Sequence, residues 1–250
     1  MNLPLPESDK DYLRAFDVFP DARAAEHYLY CSWARTQEVL RWLAELQARG
    51  MRRLLELGAN PYYLTLLLNK YLSFHLELAN FFGDDVEGDR GVQEVCSTTG
   101  EKHTFEYAHF NIETNRFPYP DDSLDVVVFS EILEHLVRSP DSAVGECRRV
   151  LRRGGYLILT TPNFARLGNL IQLAKGQNIA DGYSPHGVYG RHNREHTPSE
   201  VRELVERHGF VIERSEVRNI YPHPLRSRII QALRPNVWRE HIFVLARWEN

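Results

Sequence analysis

A doubly wound α/β fold is what the pattern of this chain predicts, and three features carry that prediction. Short apolar runs alternate with stretches of helical periodicity, the mark of a mostly parallel sheet wrapped by helices. LDVVVFS, Leu124 to Ser130, is almost continuously apolar and β-branched, as a parallel strand covered on both faces is. RRLLELGAN, Arg52 to Asn60, stops at Gly and leads at once into a Pro-led helical stretch, which reads as strand, tight turn and helix. The 250 residues suffice for one substantial core, and 43% hydrophobic with 26% charged residues is the balance of an ordinary globular protein. Thirty Lys+Arg against 34 Asp+Glu give a net charge of -4, which disfavours a nucleic-acid partner. Cys31, Cys96 and Cys147 are scattered and form no CxxC pair, so a reducing, cytoplasmic setting is expected. The first residues show no basic flank before an apolar run, and no stretch approaches the roughly 18 apolar residues of a membrane span.

The elements follow in order. From Asp21 to Gly50, Ala25, Tyr28, Leu29, Trp33, Val39, Leu40, Leu43 and Leu46 recur at helical spacing behind an acceptor cap and ahead of Gly, predicting one long amphipathic helix. Pro61 then opens YYLTLLLNKYL as a helix with Pro in its first turn. FHLELANFF, Phe74 to Phe82, reads as a second strand closed by the Gly- and Asp-rich GDDVEGDRG. Thr99-Gly100 separates two β-prone runs, a hairpin whose second arm leads to Asn111. Ser139-Pro140 starts a helix through Val150, and a Gly154-Gly155 turn precedes a buried strand ending near Thr161. Thr197-Pro198-Ser199-Glu200 is a capping box whose helix stops at Gly209. FVIERSEV (Phe210 to Val217) and HIFVLARW (His241 to Trp248) are late strands on either side of a Pro- and Arg-containing excursion, Tyr221 to Arg239.

In such sheets ligands bind at the carboxyl ends of the strands. Glu56, Gly58, Ala59 and Asn60 stand there, where Gly58 admits a ligand to the backbone and the following helix offers free amide donors. A dinucleotide fingerprint wants two further glycines, and counting from Gly58 those positions hold Asn60 and Tyr63. A pyrophosphate is therefore poorly served. A ligand with a cationic amino group and no phosphates can use the Glu56 carboxylate, a description that fits S-adenosylmethionine.

The segment FNIETNRFPYPDDSLDVVVFSEILEHLVRSPDSAVGECRRVLRRGGYLILTTPN has LLELGAN upstream and RHNREHTPSEVRELVERHGF downstream. Together they resemble the class I S-adenosylmethionine-dependent methyltransferases, particularly the small-molecule branch with a Leu-Glu-His triplet after the fourth strand. That resemblance implies a Rossmann-like seven-stranded sheet with its last strand antiparallel over residues 51–250. Residues 1–50 become a helical extension that caps the site or forms a homodimer surface, with Tyr28, Tyr30, Trp33 and Trp42 open to either use. It also implies S-adenosylmethionine as cofactor, S-adenosylhomocysteine as product, and a small-molecule acceptor methylated on oxygen or nitrogen. The acceptor would be a sugar, a glycan precursor or a secondary metabolite. Glu56 and Gly58 would hold the amino-acid end of the cofactor, with Ala59 and Asn60 lining it. Asn80 takes the place of the usual ribose carboxylate, with Glu77 and Asp84 as out-of-register rivals. Asn111 with Ile112 matches the adenine contact, and Ser130 and Glu131 end the fourth strand against the cofactor.

For catalysis, His135 is the candidate base, with Glu131 four residues earlier to orient its ring on a shared helical face; the plainer role for His135 is shaping the pocket. The late loop GYSPHGVYGRHNREHT supplies Tyr183, Tyr189, His192 and Arg194 for the acceptor. His186, His192, Glu195 and His196 match no helical metal-ligand spacing, so no metal is expected. Tyr62, Tyr63, Phe117 and Tyr119 are aromatic candidates for the sulfonium or the acceptor, against the plainer role of filling core. Two other readings stand beside methyl transfer: a nicotinamide-dependent oxidoreductase, which lacks its glycines here, and a degenerate adenosyl-binding or interaction protein, because Asn80 and Asn111 both replace expected carboxylates.

Overall fold

The computed structural model describes residues 6–221 and 237–249, and the chain divides into two compact units, residues 1–111 and 112–250. In the first, helices α1 (Ser8–Arg14) and α2 (Ala22–Ala48) precede β1 (Arg53–Leu57), α3 (Tyr63–Tyr71), β2 (His75–Asn80), β3 (Arg90–Cys96) and β4 (Lys102–His109). The long α2 forms as its periodicity predicts, and the Asp21 carboxylate accepts from the Ala24 N–H at 2.8 Å to cap it. Leu40, Trp42, Leu43 and Leu46 have no exposed surface at all, so α2 is part of this unit's core. Asp9 on α1 is fully buried and accepts from Lys70 Nζ at 2.7 Å and the Tyr71 hydroxyl at 2.8 Å, tying α1 to α3. The strands lie in the order β3-β4-β2-β1. β1, β2 and β4 are mutually parallel and β3 runs against β4, the hairpin expected around Thr99-Gly100. Pro61 falls ahead of α3 instead of within its first turn, because the chain first passes through a left-handed residue, Tyr62, at φ 68°.

The second unit contains β5 (Leu124–Ser130), a 3-10 turn (Leu133–His135), α4 (Asp141–Val150), β6 (Leu151–Pro162), α5 (Leu167–Ala174), α6 (Pro198–Arg207), β7 (Phe210–Arg218) and β8 (His241–Trp248). Its strands lie in the order β5-β6-β8-β7. β5 and β6 are parallel, while β8 opposes both β6 and β7. Six of the seven residues of β5 are buried, which is why the run lacks polar alternation. Gly154-Gly155 lies inside β6 as an irregularity in its pairing with β5 and does not precede the strand. A Cβ on Gly155 would meet the Arg152 carbonyl at 2.8 Å and that of Asp125 at 3.0 Å, so this close approach requires glycine. The capping box at Thr197 is complete: Thr197 Oγ1 accepts from the Glu200 N–H, and Glu200 accepts from the Thr197 N–H.

The eight strands among the described residues exceed the expected seven by β3, while β8 is the antiparallel last strand that was expected. β1-α3-β2 and β5-α4-β6 are the parallel crossovers of a Rossmann-like α/β fold. Of the excursion from Tyr221 to Arg239, residues 222–236 lie outside the described residues. Among the described residues no helix is long and apolar enough to cross a membrane.

Candidate active site

In the first unit the carboxyl ends of the parallel strands bring together the predicted residues near β1. Glu56 is 4% exposed, and its Oε2 accepts from the Thr65 hydroxyl at 2.7 Å. Burial pushes the Glu56 carboxyl up to about 8, against the opposing pull of the Thr65 hydrogen bond. Gly58, at φ 66°, and Ala59 both donate their N–H groups to the Ala79 carbonyl at 2.8 and 3.2 Å, which pins the turn to the end of β2. Asn80 then braces it from the side chain: Oδ1 accepts from the Asn60 N–H at 2.8 Å, and Nδ2 donates to the Tyr62 hydroxyl at 2.9 Å. An amide offers an acceptor and a donor at once, whereas an ionised carboxylate offers acceptors alone and would need the Tyr62 hydroxyl to donate. Tyr62 in turn stacks on Phe105 at 4.9 Å between centroids. Asn111 is buried beyond the end of β4. The rivals stand apart: Glu77 pairs with Arg53 at 3.5 Å on a half-exposed face, and Asp84 is exposed. Tyr63 packs edge-on against Tyr28 and Phe19, so it is core.

This donor set fits the amino-acid end of an adenosyl ligand. A buried carboxyl whose pKa is raised by desolvation regains its charge when an ammonium group arrives, and the left-handed Gly58 beside it leaves the backbone open to approach.

In the second unit the end of β5 departs from the expected helical geometry. Glu131 has φ 54° and a 3-10 turn follows, so Glu131 and His135 do not sit one above the other on an α-helix. Glu131 accepts from the Thr160 hydroxyl at 2.9 Å and from His241 Nε2 at 3.0 Å, and Ser130 bonds Thr160 at 2.7 Å. The His135 ring is oriented by a different group: its Nδ1 lies 2.9 Å from the Arg191 carbonyl oxygen. That oxygen only accepts, so Nδ1 carries the proton and Nε2 keeps its lone pair. Burial, with the nearby His192, lowers the His135 pKa. Glu134, between them, is fully buried; its Oε2 accepts from Thr161 at 3.0 Å, and Oε1 has no hydrogen-bond partner.

The late loop is stitched to this turn. The Asn193 and Arg194 N–H groups donate to the Glu134 carbonyl at 2.7 and 3.1 Å, and Asn193 Nδ2 donates to the His135 carbonyl at 2.8 Å. The Tyr189 hydroxyl donates to Glu113 at 2.7 Å, and the same carboxylate accepts the Val137 N–H at 2.9 Å and the Arg138 N–H. His192 packs edge-on against His135 at 5.0 Å between centroids, and its Nδ1 lies 3.0 Å from Glu195 Oε1. Burial works to raise the Glu195 pKa, but the hydrogen bonds from His192 and Arg166 hold it down at about 2. Arg194 instead points outward and pairs with Glu200 at 2.7 Å. Tyr183 is 95% exposed beneath the Arg191 guanidinium, and Phe117 is core. Glu113, Glu134 and His241 were not singled out from the sequence. Glu134 had a visible signal in the Leu-Glu-His triplet, whereas Glu113 and His241 carried none.

A methyltransferase domain family matches residues 71–159 of the chain. A probable S-adenosylmethionine-dependent methyltransferase of Mycolicibacterium smegmatis is 38% identical over 96 residues, 38% of this chain and 32% of its own length. A probable S-adenosylmethionine-dependent methyltransferase of Mycobacterium tuberculosis is 52% identical over 48 residues, 18% of this chain and 16% of its own. The match thus spans a third or less of these curated relatives. A solved S-adenosylmethionine-dependent methyltransferase from Archaeoglobus fulgidus shares the fold with a TM-score of 0.55 at 17% identity, over 88% of this chain and 99% of that one. The matched segment runs from the end of α3 through β5 and α4 into β6; over it the chain is similar to S-adenosylmethionine-dependent methyltransferases, and the fold around it is that of the solved one.

Proposed function

We propose that this chain transfers a methyl group from S-adenosylmethionine to an oxygen or nitrogen of a small molecule: a sugar, a glycan precursor or a secondary metabolite. The observation that carries the reading is Glu56, a buried carboxyl at the end of β1 next to a left-handed Gly58, in a turn without the glycines that cradle a pyrophosphate. Residues 51–250 form the catalytic domain in this reading, with residues 1–50 as its extension. Glu56 takes the ammonium group, and Gly58, Ala59 and Asn60 line that end. Asn80 serves the ribose, Asn111 and Ile112 the adenine, and Ser130 and Glu131 the remaining edge. When bound, the cofactor supplies a methyl group already activated by the positive sulfonium beside it. The chain's own task is alignment and exclusion of water, and orientation alone is worth roughly 7–11 kcal/mol. His135, neutral with a lone pair at Nε2, takes the proton of an acceptor hydroxyl, a role worth about 10² to 10⁴ in rate. Glu131 acts through position, holding Thr160 and His241. In this reading the late loop that carries Tyr183, Tyr189, His192 and Arg194 serves the acceptor, with Arg194 paired outward to Glu200.

The test is thermal unfolding with S-adenosylmethionine, S-adenosylhomocysteine and, as control, NADH. At a hundredfold excess over Kd, binding adds about 2.7 kcal/mol, and each kcal/mol moves Tm by roughly 2–4 °C in a chain of this size. Shifts with both adenosyl ligands and none with NADH support the reading. One observation favours a second reading, an adenosyl-binding or interaction protein without transfer: the Asn80 amide is engaged inside the turn by Asn60 and Tyr62. In that case the adenosyl shifts are small or absent, and no acceptor in a labelled-methyl screen is modified.

A further inference from the structure

We propose that Glu134, His135 and His192 bind one divalent transition-metal ion, through Glu134 Oε1 and the Nε2 atoms of the two imidazoles. One ligand atom from each residue lies within 4.8 Å of the others, and Glu134 Oε1 stands 3.9 Å from His135 Nε2. Atoms bound to one ion at 2.0–2.2 Å stand roughly 3–4 Å apart, close to the spacing found here.

Independent observations point the same way. Glu134 is fully buried, and its Oε1 has no hydrogen-bond partner although Oε2 is satisfied by Thr161. An orphaned carboxylate oxygen in a dry site is costly unless a cation neutralises it. Both imidazoles are held in the tautomer a metal needs. His135 donates from Nδ1 to the Arg191 carbonyl at 2.9 Å and His192 from Nδ1 to Glu195 at 3.0 Å, with Arg166 backing the Glu195 carboxylate. A ring nitrogen fixed by a carbonyl or carboxylate on its far side is the arrangement that orients metal-binding histidines. Two imidazoles with one carboxylate favour zinc, cobalt or iron over magnesium or calcium, and leave coordination positions open.

The spacing of His186, His192 and His196 gave no reason to expect a metal because two of the three ligands come from elsewhere, the turn after β5. In the ion-bound protein His135 is a ligand and no longer the base; the ion would lower the pKa of an acceptor hydroxyl bound to it, whose proton would leave to solvent water. That consequence rests on the methyl-transfer reading, whereas the binding does not.

The experiment titrates the full, chelator-stripped chain with Zn²⁺ by calorimetry and with Co²⁺ by visible absorption, with neither adenosyl ligand nor acceptor present. One equivalent of each ion should bind, and Co²⁺ should develop the visible bands of a protein-bound centre. Glu134→Gln and His192→Ala should each weaken binding at least tenfold, and Glu195→Gln by about 10- to 100-fold through loss of the ring's anchor. His186→Ala, in the exposed part of the same loop, should bind as the parent does. Circular dichroism establishes that each variant is folded; if Glu134→Gln is not, His192→Ala decides, since its side chain is one-third exposed and lies in a loop. No binding of either ion at millimolar concentration, or equal affinity in the parent and His192→Ala, overturns the proposal. Because the readout needs no cofactor, its failure and a failure of the adenosyl thermal shift are separate results.

Discussion

The Thr65 hydroxyl donates to Glu56 Oε2 at 2.7 Å, in a place where burial nonetheless pushes the carboxyl up to about 8. A carboxyl whose pKa is higher folded than unfolded binds more protons in the native state between the unfolded value, 4.5, and about 8. Stability therefore falls as pH rises through that window, by an amount on the order of a few kcal/mol at its upper end. Glu56→Gln removes the ionisation while keeping an oxygen for Thr65. The variant should be more stable than the parent at pH 8 and about equal at pH 5, as read by denaturant unfolding at the two pH values. It should also lose the thermal shift with S-adenosylmethionine, because the ammonium partner is gone, as it should in Glu56→Ala. A Glu56→Gln protein that keeps the parent's adenosyl affinity sinks the assignment of this carboxylate.

Asn80 makes a narrower prediction. Its amide satisfies the Asn60 N–H and donates to the Tyr62 hydroxyl, both inside the turn after β1. Asn80→Ala leaves a backbone donor unpaired, which costs about 1–3 kcal/mol and lowers Tm by several degrees. Asn80→Asp keeps the acceptor for Asn60, and the Tyr62 hydroxyl can turn to donate. It should therefore retain more of the parent's stability than Asn80→Ala in the same thermal melt.

The residues explain how much of this was legible. β5 was readable because a strand covered on both faces needs no polar alternation, and α6 because its capping box is a local code in four consecutive residues. The Glu56-Gly58 turn was readable for the same local reason. The Glu131-His135 pairing failed because it assumed helical spacing, whereas Glu131 adopts a left-handed conformation and a 3-10 turn follows. Both His135 and His192 were singled out, but not their meeting. That contact depends on Asn193 bonding the carbonyl of His135 and on Tyr189 bonding Glu113, links between distant segments with no periodicity to betray them. Gly154-Gly155 was read as a turn since paired glycines usually mark one, but here they serve a close backbone approach inside β6.

Thr197→Ala tests a local feature away from the site chemistry. The substitution removes the oxygen that accepts the Glu200 N–H and keeps Pro198 at the helix start. A loss of about 1 kcal/mol is expected, a fall in Tm of roughly 2–4 °C, with any adenosyl-induced shift retained on the lowered baseline.

Glu113 should control the late loop. Its carboxylate is 5% exposed and takes the Tyr189 hydroxyl from that loop together with the Val137 and Arg138 N–H groups following the 3-10 turn. One side chain thus fixes two segments, and the loop that carries His192 keeps its place partly through it. Glu113→Ala releases all three donors. Water can reach Val137 and Arg138, which are exposed, so the global cost should stay near 1–3 kcal/mol while the local effect on the loop is larger. Limited trypsin digestion reads this directly, since Lys175, Arg191 and Arg194 bracket the segment. Cleavage at Arg191 and Arg194 should speed up several-fold in Glu113→Ala with the far-ultraviolet circular dichroism unchanged. Glu113→Gln, which can still accept the two N–H groups, should fall between. Equal cleavage rates in all three proteins would mean that the Asn193 bonds to the Glu134 and His135 carbonyls hold the loop without Glu113.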